Sequence, residues 1–181
     1  RNEGLKLASG KYILFLDADD YISPDTCEKL FNQAEKDELD FVTFDAETIL
    51  DSELDEKTMQ YFSYDRSQII SDRNYMSGKD FIRKYREKGG IKVNACLSFV
   101  NRDFLEKNNI DFPEGLFYED NVFFLQCMMY AKKTSYNSNK FYKRRLRKNS
   151  IMTQTVTPKH LLDVYYIDLK YIIYYMSAGS N

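Results

Sequence analysis

Three carboxylates stand at the end of one short apolar run, in the sequence LFLDADDY from Leu14 to Tyr21. An apolar run that ends in clustered acids is typical of a buried strand with a polar end. Asp17, Asp19 and Asp20 would then meet at one point, where they repel one another unless a cation is bound. Oxygen ligands of this kind suit Mg²⁺ or Mn²⁺ carrying a substrate phosphate. The alternative is a solvated acidic turn, because aspartate is common in turns.

A second acidic pair, Glu119 and Asp120, stands just before the apolar run VFFLQCMMYA. Val122, Phe123 and Cys127 have helical spacing, which places both acids in the first turn of a predicted helix. The helix dipole favours acids there by about 0.3 to 1 kcal/mol without any catalytic task. An aspartate in that position also stays ionised and directed beyond the helix end, as a general base requires. Both interpretations stay open.

A basic tract, KFYKRRLRK, occupies residues 140–148. Its alternation is only partial, which fits either an edge strand or a loop. Arginines here could neutralise a diphosphate, because guanidinium groups make bidentate contacts with phosphate oxygens. The alternative is a basic strand edge that discourages aggregation.

The formal net charge of −2 conceals a strong asymmetry along the chain. Residues 1–131 hold 16 basic and 26 acidic side chains, whereas residues 132–181 hold 10 basic and 2 acidic ones. A large acidic part argues against a general nucleic-acid binder. It suits an acidic metal site opposite a basic anion clamp, although two oppositely charged solvated surfaces fit equally well.

The cysteines and the single histidine exclude several kinds of chemistry. Cys27, Cys96 and Cys127 are odd in number and set among apolar residues, which predicts buried thiols in a reducing compartment. His160 has no cysteine or histidine at ligand spacing, so neither a zinc site nor a histidine-assisted nucleophile is supported.

The order of predicted elements is that of an α/β protein. A short helix at residues 3–9 and a strand at Tyr12–Leu16 precede the acids, and a helix with Ser23 as N-cap follows them. A strand at Phe41–Phe44 comes next, so the acids lie beyond the carboxyl end of a strand, where such sheets bind ligands. Further along the chain we predict an irregular excursion at 46–77, a helix at 77–87, a strand at 95–100, a short helix at 103–107 and a final helix at 159–176.

The first residues indicate that the chain is a fragment. Arg1 begins in polar sequence only a few residues before a core strand. A doubly wound sheet needs parallel strands beside such a strand, and no candidate precedes it.

Four separated segments resemble one known family. They are RNEG at residues 1–4, ASGKYI leading into FLDADD at 8–20, FPEG with YED at 112–120, and Arg147 with NSIM at 149–152. This joint pattern is similar to that of family 2 glycosyltransferases of the GT-A fold. The resemblance implies a mixed sheet flanked by helices that lacks the first strands and helix of the nucleotide-binding half.

The resemblance also implies roles for individual residues in an inverting, metal-dependent sugar transfer. Asp17 and Asp19 would form the DxD motif, with Asp19 as the direct or water-mediated ligand of Mn²⁺ or Mg²⁺ and Asp20 in support. Asp120 would be the general base, and Glu119 would orient it or touch the acceptor. The resemblance places the remaining candidates at the donor, where Arg1 and Asn2 line the site and Arg147 meets the diphosphate.

The expected partners follow from the same family. They are a nucleotide-diphosphate sugar, with a UDP-sugar favoured, and a glycan or lipid-linked acceptor, but no nucleic acid. We expect a catalytic domain at residues 1–153, with a donor part at about 1–45 and an acceptor part at about 78–153, and a C-terminal helix at 154–181. Three interpretations of that helix stay open: it packs on the core, forms a homodimer contact, or contacts the inner face of the membrane peripherally. We expect the protein to lie in the cytoplasm.

Two other functions stay open on the sequence. A haloacid-dehalogenase-like phosphatase would use Asp17 as a nucleophile in the strand-Asp-x-Asp sequence. Tyr21 stands where that motif expects threonine or valine, which disfavours it. A noncatalytic sugar-binding module is the other alternative.

Overall fold

A computed structural model describes residues 1–50, 63–71, 74–88, 92–146 and 157–178. Five strands form one sheet, and helices lie on both of its faces. In chain order the elements are α1 Asn2–Leu7, β1 Tyr12–Leu14, β2 Tyr21–Ile22, α2 Thr26–Asp37, β3 Phe41–Leu50, α3 Gly78–Glu87, a 3-10 turn Ala95–Leu97, β4 Ser98–Asn101, α4 Arg102–Lys107, α5 Glu119–Tyr130, β5 Thr134–Leu146 and α6 Pro158–Ala178.

The sheet is mixed, with the strand order β1-β4-β3-β5-β2. β3 and β5 are parallel, whereas β4 is antiparallel to both β1 and β3, and β2 is antiparallel to β5. β1, β3 and β5 therefore point the same way. The acidic turn, residues 15–20, follows the carboxyl end of β1 and crosses to β2 at the opposite margin of the sheet.

The start of β3 is buried on both faces, so it joins two apolar clusters. Phe41 packs with Phe123 and other residues of α3, α4 and α5 on one face. Val42 and Phe44 point the other way and pack with Leu30 and the rest of the buried side of α2. The sequence of a strand that helices cover on both faces is a nearly continuous apolar run. FVTF at residues 41–44 fits this pattern, with Thr43 as its one polar residue.

Strand pairing corrects one predicted boundary. The backbone N–H of Ser23 donates to the carbonyl of Phe141 at 2.9 Å, which extends the pairing of β2 with β5. α2 begins at Thr26, and its N-cap is Asp25 rather than Ser23.

The basic tract is a strand up to Leu146, which is one of the two interpretations that the sequence left open. Tyr142 and Lys143 lie between β3 and β2, whereas residues 144–146 pair with β3 alone among the described residues.

Other corrections concern lengths, turns and one thiol. β1 ends at Leu14 rather than at residue 16, and β3 continues to Leu50 beside β5. Residues 95–97 form a 3-10 turn, since the Asn94 side chain accepts the Cys96 N–H at 2.8 Å. Cys96 and Cys127 are buried as predicted, but Cys27 is exposed.

The last helix, α6, packs on α5 through one side and leaves a large apolar side exposed. His160 stacks on Phe117 with ring centroids 4.1 Å apart, and Ile167 is buried. Exposed apolar side chains on α6 include Leu161, Leu162, Tyr165, Ile172, Ile173 and Met176. No helix within the described ranges has the length and hydropathy needed to cross a bilayer. The homodimer contact stays a prediction.

We expect Gly78→Ala to destabilise the protein by about 1 to 3 kcal/mol, the usual cost of overpacking. A Cβ atom at Gly78 would lie 2.0 Å from the carbonyl oxygen of Met128, so α3 would have to move away from α5. Urea unfolding measures the difference in unfolding free energy between the variant and wild type. Gly4→Ala is the matched control, because a Cβ at Gly4, also helical, meets nothing within 4 Å. Equal unfolding free energies for both variants would contradict the close packing.

Candidate active site

One guanidinium group joins the two acidic segments that the sequence singles out. Arg1 Nη2 lies 3.3 Å from Asp17 Oδ1, and Arg1 Nη1 lies 2.6 Å from Glu119 Oε1. The side chain of Arg1 is 28% exposed, so these ion pairs are partly shielded from water. The acidic turn after β1 and the start of α5 therefore face each other across Arg1.

Asn2 fixes the position of Arg1. Its side-chain amide donates to the Phe112 carbonyl at 2.8 Å and accepts the Phe112 N–H at 3.0 Å. The Phe112 ring lies 5.4 Å under the Arg1 guanidinium and stacks on Phe123 of α5. The segment before the FPEG turn thus anchors Arg1 and Asn2 to the helix that carries Glu119.

Backbone contacts shape the acidic turn. The Asp20 N–H donates to the Asp17 carbonyl at 3.1 Å, and the Asp17 N–H donates to the Tyr142 hydroxyl at 3.2 Å. Asp20 Oδ1 accepts the N–H of Arg145 at 2.7 Å, which ties the end of the turn to β5. Asp19 is exposed at the tip of the turn.

The carboxylates of the acidic turn are the residues of this site that could contribute to binding a cation. No group of three cysteine, histidine or acidic side chains in the described part of the chain could by itself hold a metal ion. Asp19 is exposed at the tip of the turn, whereas the Asp17 side chain, two residues earlier, is 44% exposed and its Oδ1 is paired with Arg1. Mg²⁺ is commonly held by one or two carboxylates together with phosphate oxygens, so this donor set suits it.

Asp120 occupies the first turn of α5, in a partly buried position. Burial raises the pKa of its carboxyl group to about 6, and the negative charge of Glu119 adds to the effect. Arg1 and hydrogen bonds from the backbone N–H groups of Ala95 and Asn121 oppose the increase. A carboxylate with a pKa near 6 is ionised at neutral pH and still basic enough to accept a proton.

The residue before this pair adopts an unusual backbone conformation. Tyr118, the N-cap of α5, has φ of 61°, in the left-handed region that non-glycine residues rarely adopt. The α6 helix holds this segment in place: Asp163 accepts the Phe117 N–H at 2.8 Å, and Lys159 donates to the Gly115 carbonyl at 2.8 Å.

One cavity adjoins the residues on either side of Glu119 and Asp120, and another adjoins Arg1 and Asp17. The first, of about 500 Å³, lies between α5 and α6, where Tyr118, Asn121, Ile167 and Tyr171 are among its walls. The second, of about 450 Å³, runs from Arg1 and Asp17 along β1 and α1. Within the described residues β1 pairs only with β4, so this second cavity lies at a sheet margin.

The structure brings together most of the residues that the sequence singled out. Arg1, Asp17 and Glu119 are in contact, and Asp120 lies close enough to Arg1 for the guanidinium to affect its pKa. Arg147 and the segment 149–152 lie outside the described residues. Sequence reasoning missed the Ala95 N–H and Tyr142, because a backbone donor and a tyrosine within a basic tract leave no recognisable pattern.

Comparison with known proteins identifies the family of this chain. The model of the family described as Glycosyl transferase family 2 matches residues 1–155. The chain belongs to glycosyl transferase family 2. This confirms the resemblance carried by the RNEG, DADD and YED segments.

Relatives of this family 2 chain are longer than the chain itself. The uncharacterized glycosyltransferase YibD of Escherichia coli (strain K12) is 31% identical over 151 residues, which are 83% of this chain and 42% of YibD. EpsH of Bacillus subtilis (strain 168) is 29% identical over 157 residues, 84% of this chain and 42% of EpsH. The chain spans less than half the length of these relatives.

A solved structure shares the fold of the family 2 chain. TarS 1-349 of S. aureus, in complex with UDP-GlcNAc, superposes with a TM-score of 0.68 at 19% identity, over 93% of this chain and 44% of TarS. The predicted GT-A-like mixed sheet flanked by helices is therefore confirmed.

We expect Asp120→Asn to stabilise the protein at neutral pH by up to about 3 kcal/mol, because each unit by which the pKa is raised corresponds to about 1.4 kcal/mol. The folded state keeps the Asp120 proton up to about pH 6, whereas the unfolded chain releases it near the ordinary value of 3.8. The folded state thus binds more protons between these values, and the unfolding free energy falls as pH rises through this window. Urea unfolding at pH 4 and pH 7.5 measures the difference.

The control is Asp103→Asn, an aspartate in the first turn of α4 whose side chain is 78% exposed. Because its carboxylate is exposed rather than buried, Asp103→Asn should not stabilise the protein at pH 7.5. If Asp120→Asn also shows no larger gain in unfolding free energy at pH 7.5 than at pH 4, the burial of this carboxylate does not destabilise the fold.

Proposed function

We propose that this protein transfers a sugar from a nucleotide-diphosphate sugar to an acceptor hydroxyl, with inversion at the anomeric carbon and with dependence on Mn²⁺ or Mg²⁺. The observation that carries the proposal is the bridge from Asp17 through Arg1 to Glu119, with Asp120 next in the chain. In this proposal the acidic turn faces the donor phosphates, and Asp120, next to the bridged Glu119, acts as the base.

Asp120 is the proposed base. Its carboxylate takes the proton of the acceptor hydroxyl while that oxygen bonds to the anomeric carbon. The bond from the anomeric carbon to the diphosphate oxygen breaks on the opposite side, and its electron pair leaves with the nucleotide. Glu119 orients the acceptor or Asp120, and its negative charge keeps the pKa of Asp120 raised.

The acidic turn is the proposed site of the donor diphosphate. Asp17 and Asp19, supported by Asp20, would hold the cation, which neutralises charge on the leaving diphosphate. Arg1 and Asn2 line the same side, and Arg147 is proposed to contact the diphosphate. A UDP-sugar is the favoured donor, since TarS, which shares the fold, was solved with UDP-GlcNAc and with UDP.

The cavity between α5 and α6 is the proposed acceptor side, because its walls include Asn121, which follows Asp120. The proposed acceptor is a glycan or a lipid-linked glycan in envelope polysaccharide synthesis. Relatives include a minor teichoic acid biosynthesis protein, GgaB, and a cholesterol galactosyltransferase. We propose that the reaction takes place in the cytoplasm, at the inner face of the membrane.

One finding argues against the phosphatase alternative. The family to which the chain belongs is one of glycosyltransferases. Covalent phosphoryl labelling of Asp17 would nevertheless favour the phosphatase. A full-length protein that binds sugars without any turnover would favour the noncatalytic module.

We expect Asp120→Asn to lower kcat of the full-length protein at least about 100-fold while donor affinity is preserved, because the amide cannot accept the hydroxyl proton. The wild-type kcat should rise with pH up to about 6 and then level off, as Asp120 becomes ionised. Steady-state kinetics over a panel of nucleotide-sugars, with isothermal titration for binding, measures both. Asp103→Asn should behave as wild type, and unchanged turnover in Asp120→Asn would place the base elsewhere.

We expect Asp19→Ala to remove the metal-dependent part of donor turnover, because an exposed ligand at the tip of the turn is lost. Donor hydrolysis is measured against Mn²⁺ and Mg²⁺ concentration. The control is Asp25→Ala at the N-cap of α2, which removes a half-exposed acid paired with Lys29 and should keep the wild-type metal response. Full activity of Asp19→Ala in the presence of a chelator would refute the metal role.

A further inference from the structure

A buried tyrosine hydroxyl lies directly beneath the acidic turn. Tyr142 belongs to β5, opposite Ile22 of β2 and Ala46 of β3, and it is 0% exposed. Although its ring packs in the apolar cluster under α2, its hydroxyl reaches the backbone of Asp17. A tyrosine at this place therefore joins the core of the sheet to the proposed donor site.

The hydroxyl contacts the turn at both of its ends. It accepts the N–H of Asp17 at 3.2 Å and is also hydrogen-bonded to the Asp20 side chain. Because the hydroxyl oxygen accepts from Asp17, its one hydrogen is left to donate to the Asp20 carboxylate. One oxygen thus fixes the first and the last aspartate of DADD.

The Cys96 thiol lies beside this hydroxyl. Burial raises the pKa of the thiol to about 12, so it stays protonated and can donate its one hydrogen either to Tyr142 or to the Asp17 carboxylate. Its neighbour Ala95 donates a backbone N–H to Asp120. The 3-10 turn therefore contacts both the acidic turn and the proposed base.

We propose that Tyr142 is a positioning residue for the acidic turn: its hydroxyl sets the backbone of Asp17 and the carboxylate of Asp20 so that the turn presents its oxygens to a metal-bound diphosphate. The consequence for the diphosphate rests on the proposed function, whereas the effect on the turn itself does not.

The chain supplies a matched control on the same strand. Tyr136 also belongs to β5 and is 0% exposed, and its hydroxyl donates to Asp45 Oδ2 at 2.5 Å. That contact belongs to a buried ion pair between Asp45 and Arg66, and Tyr136 has no contact with the acidic turn among its described hydrogen bonds. Both Tyr→Phe variants remove one buried hydroxyl, but only Tyr142→Phe removes it from the turn.

The first test is UDP binding by isothermal titration to the full-length protein, with and without Mn²⁺. We expect Tyr142→Phe to weaken the Mn²⁺-dependent affinity about tenfold, as expected for one lost hydrogen bond near charge. Tyr136→Phe should change it by less than about twofold, although it lowers the melting temperature. An unchanged affinity in Tyr142→Phe, or an equal loss in both variants, overturns the proposal.

The second test is amide hydrogen exchange in the absence of any ligand. We expect the Asp17 amide to exchange at least about tenfold faster in Tyr142→Phe than in wild type, because its acceptor is gone, while Tyr136→Phe leaves it unchanged. If wild type binds no nucleoside diphosphate, the proposed function fails, and exchange at Asp17 still decides the role of Tyr142. Unchanged protection of Asp17 in Tyr142→Phe overturns that role.

Discussion

The parallel pairing of β3 with β5 is the contact on which the rest of the structure depends. It runs from Phe41 opposite Thr134 to Leu50 opposite Leu146 and joins strands that lie more than 80 residues apart in sequence. β5 in turn pairs with β2, which fixes the far end of the acidic turn. Without this pairing the three aspartates would follow β1 as an unanchored loop.

A bulge accommodates this long pairing. The register of β3 and β5 shifts between Phe44 and Ala46, where Asp45 is fully buried. Burial raises the pKa of Asp45, while hydrogen bonds from Tyr136 and the charge of Arg66 oppose the increase. Arg66 also donates to the Lys92 carbonyl at 3.1 Å, so the buried pair ties the segment before the 3-10 turn to the sheet. An uncompensated charge at that depth would be strongly destabilising.

At the proposed active site, by contrast, the acidic groups outnumber the cation that pairs with them. Asp17, Glu119 and Asp120 surround Arg1, which pairs directly with only two of them. Glu119 and burial leave Asp120 with a raised pKa, so its ionised form is less stable than it would be in water. Strained or destabilised groups of this kind are common at functional sites, where stability and activity oppose each other. The left-handed backbone of Tyr118 just before Glu119 fits the same pattern.

The sequence by itself determined the family, the α/β class and the main acidic groups, because these depend on local patterns: an apolar run that ends in DADD, and acids before an apolar helix. Only the tertiary structure decided that Arg1 joins Asp17 to Glu119, that Tyr142 lies under the turn and that Ala95 contacts Asp120. It also moved the N-cap from Ser23 to Asp25 and decided for a strand rather than a loop at residues 140–146, since both depend on which strand lies beside β5. Contacts between distant segments form where the backbone brings them together, and no local spacing of residues encodes that approach.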